Sequence, residues 1–351
     1  MISVCIIGKN ESKNIERCLS SVKPYGYEII YTDTGSSDNT KEIAYGYTGK
    51  IYDYKWCNDF SAARNFCTSK SSEPYILVLD CDEYIESINV AEFEKVLSNN
   101  PDSIGRIKRI NPYTRNGESF EMQEHINRIF PKEVYHYSGT IHEQIVPISH
   151  VFKEKTYISP VTIRHTGYDG SIEALKEKAM RNISLLQNEL RSNEQNPYIL
   201  YQLGKSYYMI QDFESACRYF SEGLTFDLDT NLEYVQDMVE SYGYALINSG
   251  KAEQALGFEG IYTHFAKNAD FVFLMGLIYM NNGMFDKAIL EFKKATDIPY
   301  FKMKGVNSFI AYYNIGVIYE CLEQKSKAIH YYTLSSNAGY PPATSRLKVL
   351  I

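Results

Sequence analysis

The chain of 351 residues contains a single tryptophan, Trp56, and seven cysteines, an odd number without C-x-x-C spacing. Scattered thiols argue against a disulfide framework and against a cysteine-built zinc site, and they fit a reducing compartment. Long apolar runs are missing too, since none approaches the roughly 20 residues that a membrane crossing needs. The opening run Ile2-Ser3-Val4-Cys5-Ile6-Ile7 has no basic flank and is short for the apolar part of a leader. It is expected to be a buried strand of a cytoplasmic protein. Positive charge is in deficit: 36 Lys and Arg against 43 Asp and Glu leave a formal net charge of −7. A nucleic-acid partner would need a basic face, so none is expected.

Tyrosine is abundant. Its 31 copies lift the aromatic share to 14%, which suits half-buried seams between helices. Trp56 is expected to anchor a loop rather than to stack on a sugar. With 44% hydrophobic and 23% charged residues, the composition is that of a soluble chain long enough for two domains.

The hydrophobic period changes near residue 170. Before it, short apolar runs alternate with helical stretches: strands at Ser3–Ile7, Glu28–Tyr31 and Tyr75–Leu79, a weaker strand near 50–54, and helices near 12–21, 39–45 and 61–69. Such alternation predicts an α/β domain with a parallel sheet covered on both faces. Ligands of such sheets bind beyond the carboxyl ends of the strands, where Lys9-Asn10-Glu11, Asp33–Asp38 and Asp80–Glu83 fall.

After it, helix follows helix. A glycine followed three residues later by Tyr or Leu recurs as Gly204/Tyr207, Gly243/Leu246, Gly276/Tyr279 and Gly316/Tyr319. Twelve residues after each glycine stands Ala216, Ala255, Ala288 or Ala328; sixteen after it stand Phe220, Glu259, Phe292 and Tyr332. Small residues let paired helices approach closely, and the large one fills the next hole. With glycine spacings of 39, 33 and 40 residues, this resembles the tetratricopeptide (TPR) repeat family, whose period is about 34. Glu259 makes the second repeat the weakest. The expected division is 1–170 for the α/β domain, 171–195 for a linking helix and 196–351 for an all-α helical-repeat domain.

The chemistry lies in the first part. Tyr75-Ile-Leu-Val-Leu-Asp80-Cys-Asp82 is an apolar strand ending in Asp-x-Asp, which sets two carboxylates beside the cleft. Carboxylates so placed suit a hard divalent cation that bridges a diphosphate. Upstream, Ile29-Ile30-Tyr31-Thr32-Asp33-Thr34-Gly35-Ser36-Ser37-Asp38 ends a strand in an aspartate that could accept hydrogen bonds from a base or ribose. Ser37 and Asp38 suit the cap of the next helix. In Asp59-Phe60-Ser61-Ala62-Ala63-Arg64-Asn65, Arg64 is a candidate to reach a ribose or diphosphate.

Asn10-Glu11, Asp33-x-Gly-Ser-x-Asp38-x-Thr40, Ala63-Arg64-Asn65 and Asp80-x-Asp82, taken in order, resemble glycosyltransferase family 2, inverting enzymes of the Rossmann-like GT-A fold. The resemblance covers about 1–165. It implies a UDP-sugar donor and a Mg²⁺ or Mn²⁺ cofactor. It places Asp33 at the uracil, Arg64 at the nucleotide, Asn10 and Glu11 in the donor site, Asp80 at the ribose or the metal shell, and Asp82 on the metal. His165 resembles the late metal or diphosphate ligand of these enzymes. An inverting transfer also needs a base for the acceptor. Gly139-Thr140-Ile141-His142-Glu143, expected as a strand, offers Glu143 first and His142 second, where many members carry Glu-Asp. A family 2 domain followed by repeats resembles bacteriocin glycosyltransferases, which implies a peptide or protein acceptor gripped with the help of the repeats. The alternatives are a surface polysaccharide or lipid-linked acceptor, nucleotidyl transfer, and a repeat scaffold with an inactive first domain. A homodimer through the repeats is compatible with the pattern, but no residue specifies it.

Overall fold

The computed structural model describes residues 2–115, 118–149, 151–166, 172–192 and 196–351. The chain divides into two units, Met1–Ser171 and Ile172–Ile351. Among the described residues no helix is long and apolar enough to cross a membrane.

The first unit runs β1 (Ile2–Gly8), α1 (Ile15–Val22), β2 (Glu28–Asp33), α2 (Thr40–Tyr45), β3 (Ile51–Asp53), α3 (Phe60–Ser69) and β4 (Tyr75–Asp80). There follow β5 (Glu83–Ile88), α4 (Val90–Asn99), β6 (Ile104–Arg115), β7 (Glu118–Pro131), β8 (Tyr135–Ser138), β9 (Gln144–Pro147) and β10 (Thr156–His165). Alternate side chains of the central strands feed two cores. Val4, Ile6, Leu77 and Leu79 pack with Ile15, Leu19 and Phe93 on one face. Cys5, Ile76 and Val78 pack with Cys67, Phe130 and Tyr137 on the other. Burial on both faces is why these strands are continuous apolar runs.

The sheet is mixed rather than parallel throughout. Its order is β3-β2-β1-β4-β7-β6-β10-β5; the first four strands are parallel, but β7 lies antiparallel to β4 and to β6. The cause is the long β6–β7 hairpin, in which polar residues interrupt the apolar alternation that a strand normally shows.

The second unit begins with α5 (Ile172–Ser192); the ends of the expected linking stretch, 171 and 193–195, lie outside the described residues. It continues with α6 (Pro197–Met209), α7 (Phe213–Gly223), α8 (Glu233–Asn248), α9 (Tyr262–Phe265), α10 (Ala269–Asn281), α11 (Phe285–Thr296), α12 (Phe309–Cys321), α13 (Lys325–Asn337) and α14 (Pro341–Leu350). Caps mark the starts: the side chains of Asn196, Asp212 and Asn268 accept backbone N–H groups of α6, α7 and α10. The glycine–aromatic spacing of sixteen has a direct cause. A Cβ on Gly204, Gly276 or Gly316 would come within 2.4, 2.6 or 2.7 Å of the ring of Phe220, Phe292 or Tyr332. In the second repeat, where Glu259 replaces the ring, the paired helix is a 3₁₀ segment, Gln254–Ile261, followed by the short α9.

Candidate active site

Strand register assembles the site. Gly8 of β1 stands opposite Asp33 of β2, and Ile7 opposite Asp80 of β4. Neighbouring strands lie about 4.8 Å apart, so three loop starts meet along one sheet edge. A Cβ on Gly8 would come within 2.5 Å of the Cys81 sulfur, which is why glycine occupies that crowded position.

The first two loops are sewn together. The Gly8 carbonyl accepts the Thr34 N–H at 2.9 Å. Asn10, in the left-handed region (φ 59°), accepts the Ser37 N–H through Oδ1 at 2.8 Å, and its own N–H donates to the Ser36 hydroxyl. The Glu11 N–H donates to Thr40 Oγ1 at 2.8 Å, and the Ser12 N–H to Asp38 Oδ2 at 3.2 Å. These bonds hold residues 11–14 in a turn, so α1 starts at Ile15 rather than at Ser12. Asp38 accepts the Thr40 N–H, closing the turn before α2. Asp33 is 3% exposed; its Oδ2 accepts the N–H groups of Gly35 and Ser36 and its Oδ1 the Tyr31 hydroxyl. A carboxylate has about four acceptor directions, so one is left for a ligand. Asp33 first shapes the loop that a base would meet.

Arg64 lies on the buried face of α3, a helix started by the Asp59 side chain on the Ala62 N–H. Its Nη2 donates to Asp80 Oδ1 at 2.6 Å, and its Nε to Glu143 Oε1. Neighbouring Asn65 pairs with both backbone groups of Tyr137, fixing β8 to α3. Asp80 receives a second guanidinium, Arg128 Nη2 on Oδ2 at 2.7 Å. Burial alone would push the Asp80 carboxyl up; Arg128 and Arg64 outweigh it and hold the group well below the usual carboxylate range. Burial also raises the Tyr137 phenol, to about 12, against the neighbouring Arg64 and Arg128.

Asp82 and His165 come together. The Thr166 N–H donates to the Asp82 carbonyl at 3.0 Å, which brings His165 Nε2 to 3.3 Å from Asp82 Oδ2. The other ring nitrogen, Nδ1, lies 3.0 Å from Asn111 Oδ1. Asn111 donates its Nδ2 to Glu124 Oε1 at 2.7 Å, so its oxygen faces the imidazole and His165 Nδ1 carries the proton. Nε2 faces the Asp82 carboxylate, a contact that is an ion pair when the ring is protonated. The Asp82 carboxylate suits Mn²⁺ or Mg²⁺, and the imidazole beside it offers a nitrogen donor when Nε2 is unprotonated. Among the described residues no cluster of three or more His, Cys, Asp or Glu gathers for a metal. Ions of this kind are commonly held by one or two protein ligands plus phosphates and water.

The Gly139–Glu143 segment is the loop joining β8 to β9, not a strand. Gly139 (φ 98°) and His142 (φ 51°) both take left-handed conformations, which an extended strand excludes. The Thr140 carbonyl accepts the Phe60 N–H at 2.9 Å, tying the loop to the start of α3 and delivering Glu143 to Arg64. Trp56 lies edge-on against Phe60, ring centroids 4.7 Å apart.

Sequence reasoning passed over Arg109, Asn111, Glu124 and Arg128 on the β6–β7 hairpin. Arg109 pairs in register with Glu124 and donates to it and to Glu83 Oε1. The available signal was charged and amide side chains at even spacings (109 and 111; 124 and 128), which along a strand points each set to one face.

Residues 3–151 match glycosyl transferase family 2. Tetratricopeptide repeats match residues 198–222, 269–299 and 310–335. The SPbeta prophage-derived glycosyltransferase SunS of Bacillus subtilis is 30% identical over 228 residues, 64% of this chain and 53% of that protein. A TPR repeat-containing protein of Synechococcus elongatus is 28% identical over 237 residues, 64% of this chain and 56% of that one. An uncharacterized glycosyltransferase of Rickettsia conorii is 30% identical over 190 residues, 51% of this chain and 66% of that one. The chain spans about half the length of the first two. Its first unit is a glycosyl transferase family 2 domain, joined in one chain to tetratricopeptide repeats.

Proposed function

We propose that the chain is an inverting glycosyltransferase of the cytoplasm. It moves a sugar from a UDP-sugar to a Cys, Ser or Thr side chain of a peptide or protein. The observation that carries the reading is the Asp82–His165 pair at the carboxyl edge of the sheet, with Oδ2 and Nε2 3.3 Å apart. A divalent cation held there would neutralise the charge that builds on the departing diphosphate. Asp80, fixed and kept ionised by two guanidiniums, accepts hydrogen bonds from the ribose. The loops of Asn10-Glu11 and Asp33 form the wall for the base, with the last acceptor direction of Asp33 turned to the uracil.

Glu143 is the proposed base. Arg64 holds its Oε1, so the proton of the attacking acceptor goes to Oε2 as the sugar–diphosphate bond breaks on the opposite side. His142, beside it in the loop, is the second choice. On the repeat unit, Tyr198, Tyr201 and Tyr234 sit half-buried with ring centroids 5.3–5.9 Å apart, next to the Lys205–Asp237 ion pair. A mixed aromatic and charged surface of this kind suits a peptide.

The test is direct. The chain is incubated with Mn²⁺, a panel of UDP-sugars and peptides bearing Cys, Ser or Thr, and released UDP is measured. UDP release stimulated by a peptide supports the reading. Pyrophosphate would indicate nucleotidyl transfer instead, and no binding of any sugar nucleotide would end the proposal.

A further inference from the structure

We propose that Arg128, which lies outside every motif recognised in the sequence, is the positioning residue that aims Asp80 at the donor. The inference rests on the sugar-nucleotide reading of the site. Arg128 is 8% exposed on β7, its Nη2 is engaged by two carboxylates, and it acts through its neighbours. A single nitrogen, Nη2, donates to Asp80 Oδ2 at 2.7 Å and to Glu83 Oε1 at 2.9 Å. Glu83, 1% exposed at the start of β5, accepts the backbone N–H of Asp80 through its other oxygen at 3.0 Å. The three residues close a ring that ties down both the backbone and the carboxylate of Asp80. Arg64 secures the remaining oxygen, so the carboxylate plane cannot turn.

Arg128 and Asp80 are buried to different extents, and the difference is informative. The Asp80 side chain stays 31% exposed, so its free acceptor directions face the cleft at a fixed angle. A buried ion cluster is a poor way to gain stability, because apolar side chains of the same volume often do as well or better. Fixing the aim of a half-exposed acceptor is a use that apolar packing cannot supply.

The experiment measures UDP release and UDP-sugar binding by calorimetry on the full chain, for wild type, Arg128→Met, Arg128→Lys and Glu83→Gln. Misplacement of a binding group by about 1 Å can cost up to about 100-fold. Arg128→Met is therefore expected to raise KM for the UDP-sugar by about 10-fold or more, with a smaller change in kcat. Because one nitrogen makes both bonds, the ammonium of Arg128→Lys has the donors to bridge them again, and most of the KM returns. A merely structural Arg128 would lower the melting temperature and the active fraction but leave KM in place; that result overturns the proposal. If Arg128→Met does not fold, Glu83→Gln decides by the same measure, with a raised KM expected and an unchanged KM fatal. A wild-type chain that binds no UDP-sugar would instead bring down the donor reading together with this inference.

Discussion

Arg64 and Asp80 form an ion pair, Nη2 to Oδ1 at 2.6 Å, in which the guanidinium keeps a second hand on Glu143. Two motifs that stand sixteen residues apart in sequence are thereby one device, and the proposed base belongs to it. Because Nε and Nη2 serve different carboxylates, the fork of the guanidinium is needed, and an ammonium on a straight stem cannot span both. Removing Arg64 leaves Asp80 with Arg128 but takes a partner from the nearly buried Glu143, and a buried polar group so deprived costs about 1–3 kcal/mol. Arg64→Met is expected to lower stability by that order in thermal melting. Arg64→Lys should recover little of the lost UDP-sugar binding, in contrast to Arg128→Lys. Full recovery by lysine would show that only the charge matters.

The Asp82–His165 pair sets the second expectation. Deleting one electrostatic stabiliser of a developing charge typically costs about 10² to 10³ in rate, and Asp82→Ala should cost at least that in UDP release. His165→Ala should raise the Mn²⁺ concentration needed for half-maximal activity more than it lowers the rate at saturating Mn²⁺. Near-normal turnover by Asp82→Ala would remove the metal assignment altogether.

Much of this was legible in the sequence wherever a local pattern carries the information. The strands β1, β2 and β4 showed as apolar runs, because both faces are covered, and Asp33, Asp80 and Asp82 followed from their ends. The repeats showed through glycine–aromatic spacing, because helix crossing imposes it. The β6–β7 hairpin was not legible, since its inward side chains are partly ionic. Arg109 and Arg128 make sense only once Glu83, Glu124 and Asp80 are in place around them. The extended form expected for Gly139–Glu143 failed for a related reason: the loop owes its shape to Phe60 and Arg64, both far away in sequence. The second repeat was marked as weak by Glu259, but nothing local foretold a 3₁₀ turn.

The repeat seam offers a sharper test. At Gly276 a methyl group would meet the Phe292 ring at 2.6 Å, and both belong to a tightly packed pair of helices. Overpacking a core of this kind costs about 1–3 kcal/mol, even though alanine is the better helix former by about 1 kcal/mol. Gly276→Ala should therefore destabilise the repeat unit. Combined with Phe292→Leu, which removes the obstructing ring, it should cost less than the sum of the two single changes. Additive losses in that double-mutant cycle would show that the glycine is not there for the ring.

Glu240 gives the repeat unit a dependence on pH with a definite sign. It is buried on α8, accepts Asn268 Nδ2 at 2.7 Å, and lies 3.4 Å from the Lys302 ammonium. Burial, reinforced by Asp270 and Asp237 against the pull of Lys302, pushes its carboxyl from the ordinary 4.5 up to about 8. Below the lower value the native and unfolded chains both hold the proton, and nothing changes. Between the two values the native state keeps a proton that the unfolded state gives up, so stability falls as pH rises; above about 8 the loss is complete. A shift of this size corresponds to a few kcal/mol. The melting transition of the repeats should thus drop from pH 5.5 to pH 8.5 in the wild type. Glu240→Gln, which resembles the protonated form at every pH, should flatten that drop and melt above the wild type at pH 8.5. An equal slope in both proteins would mean that Lys302 keeps Glu240 ionised and that the pH dependence originates elsewhere.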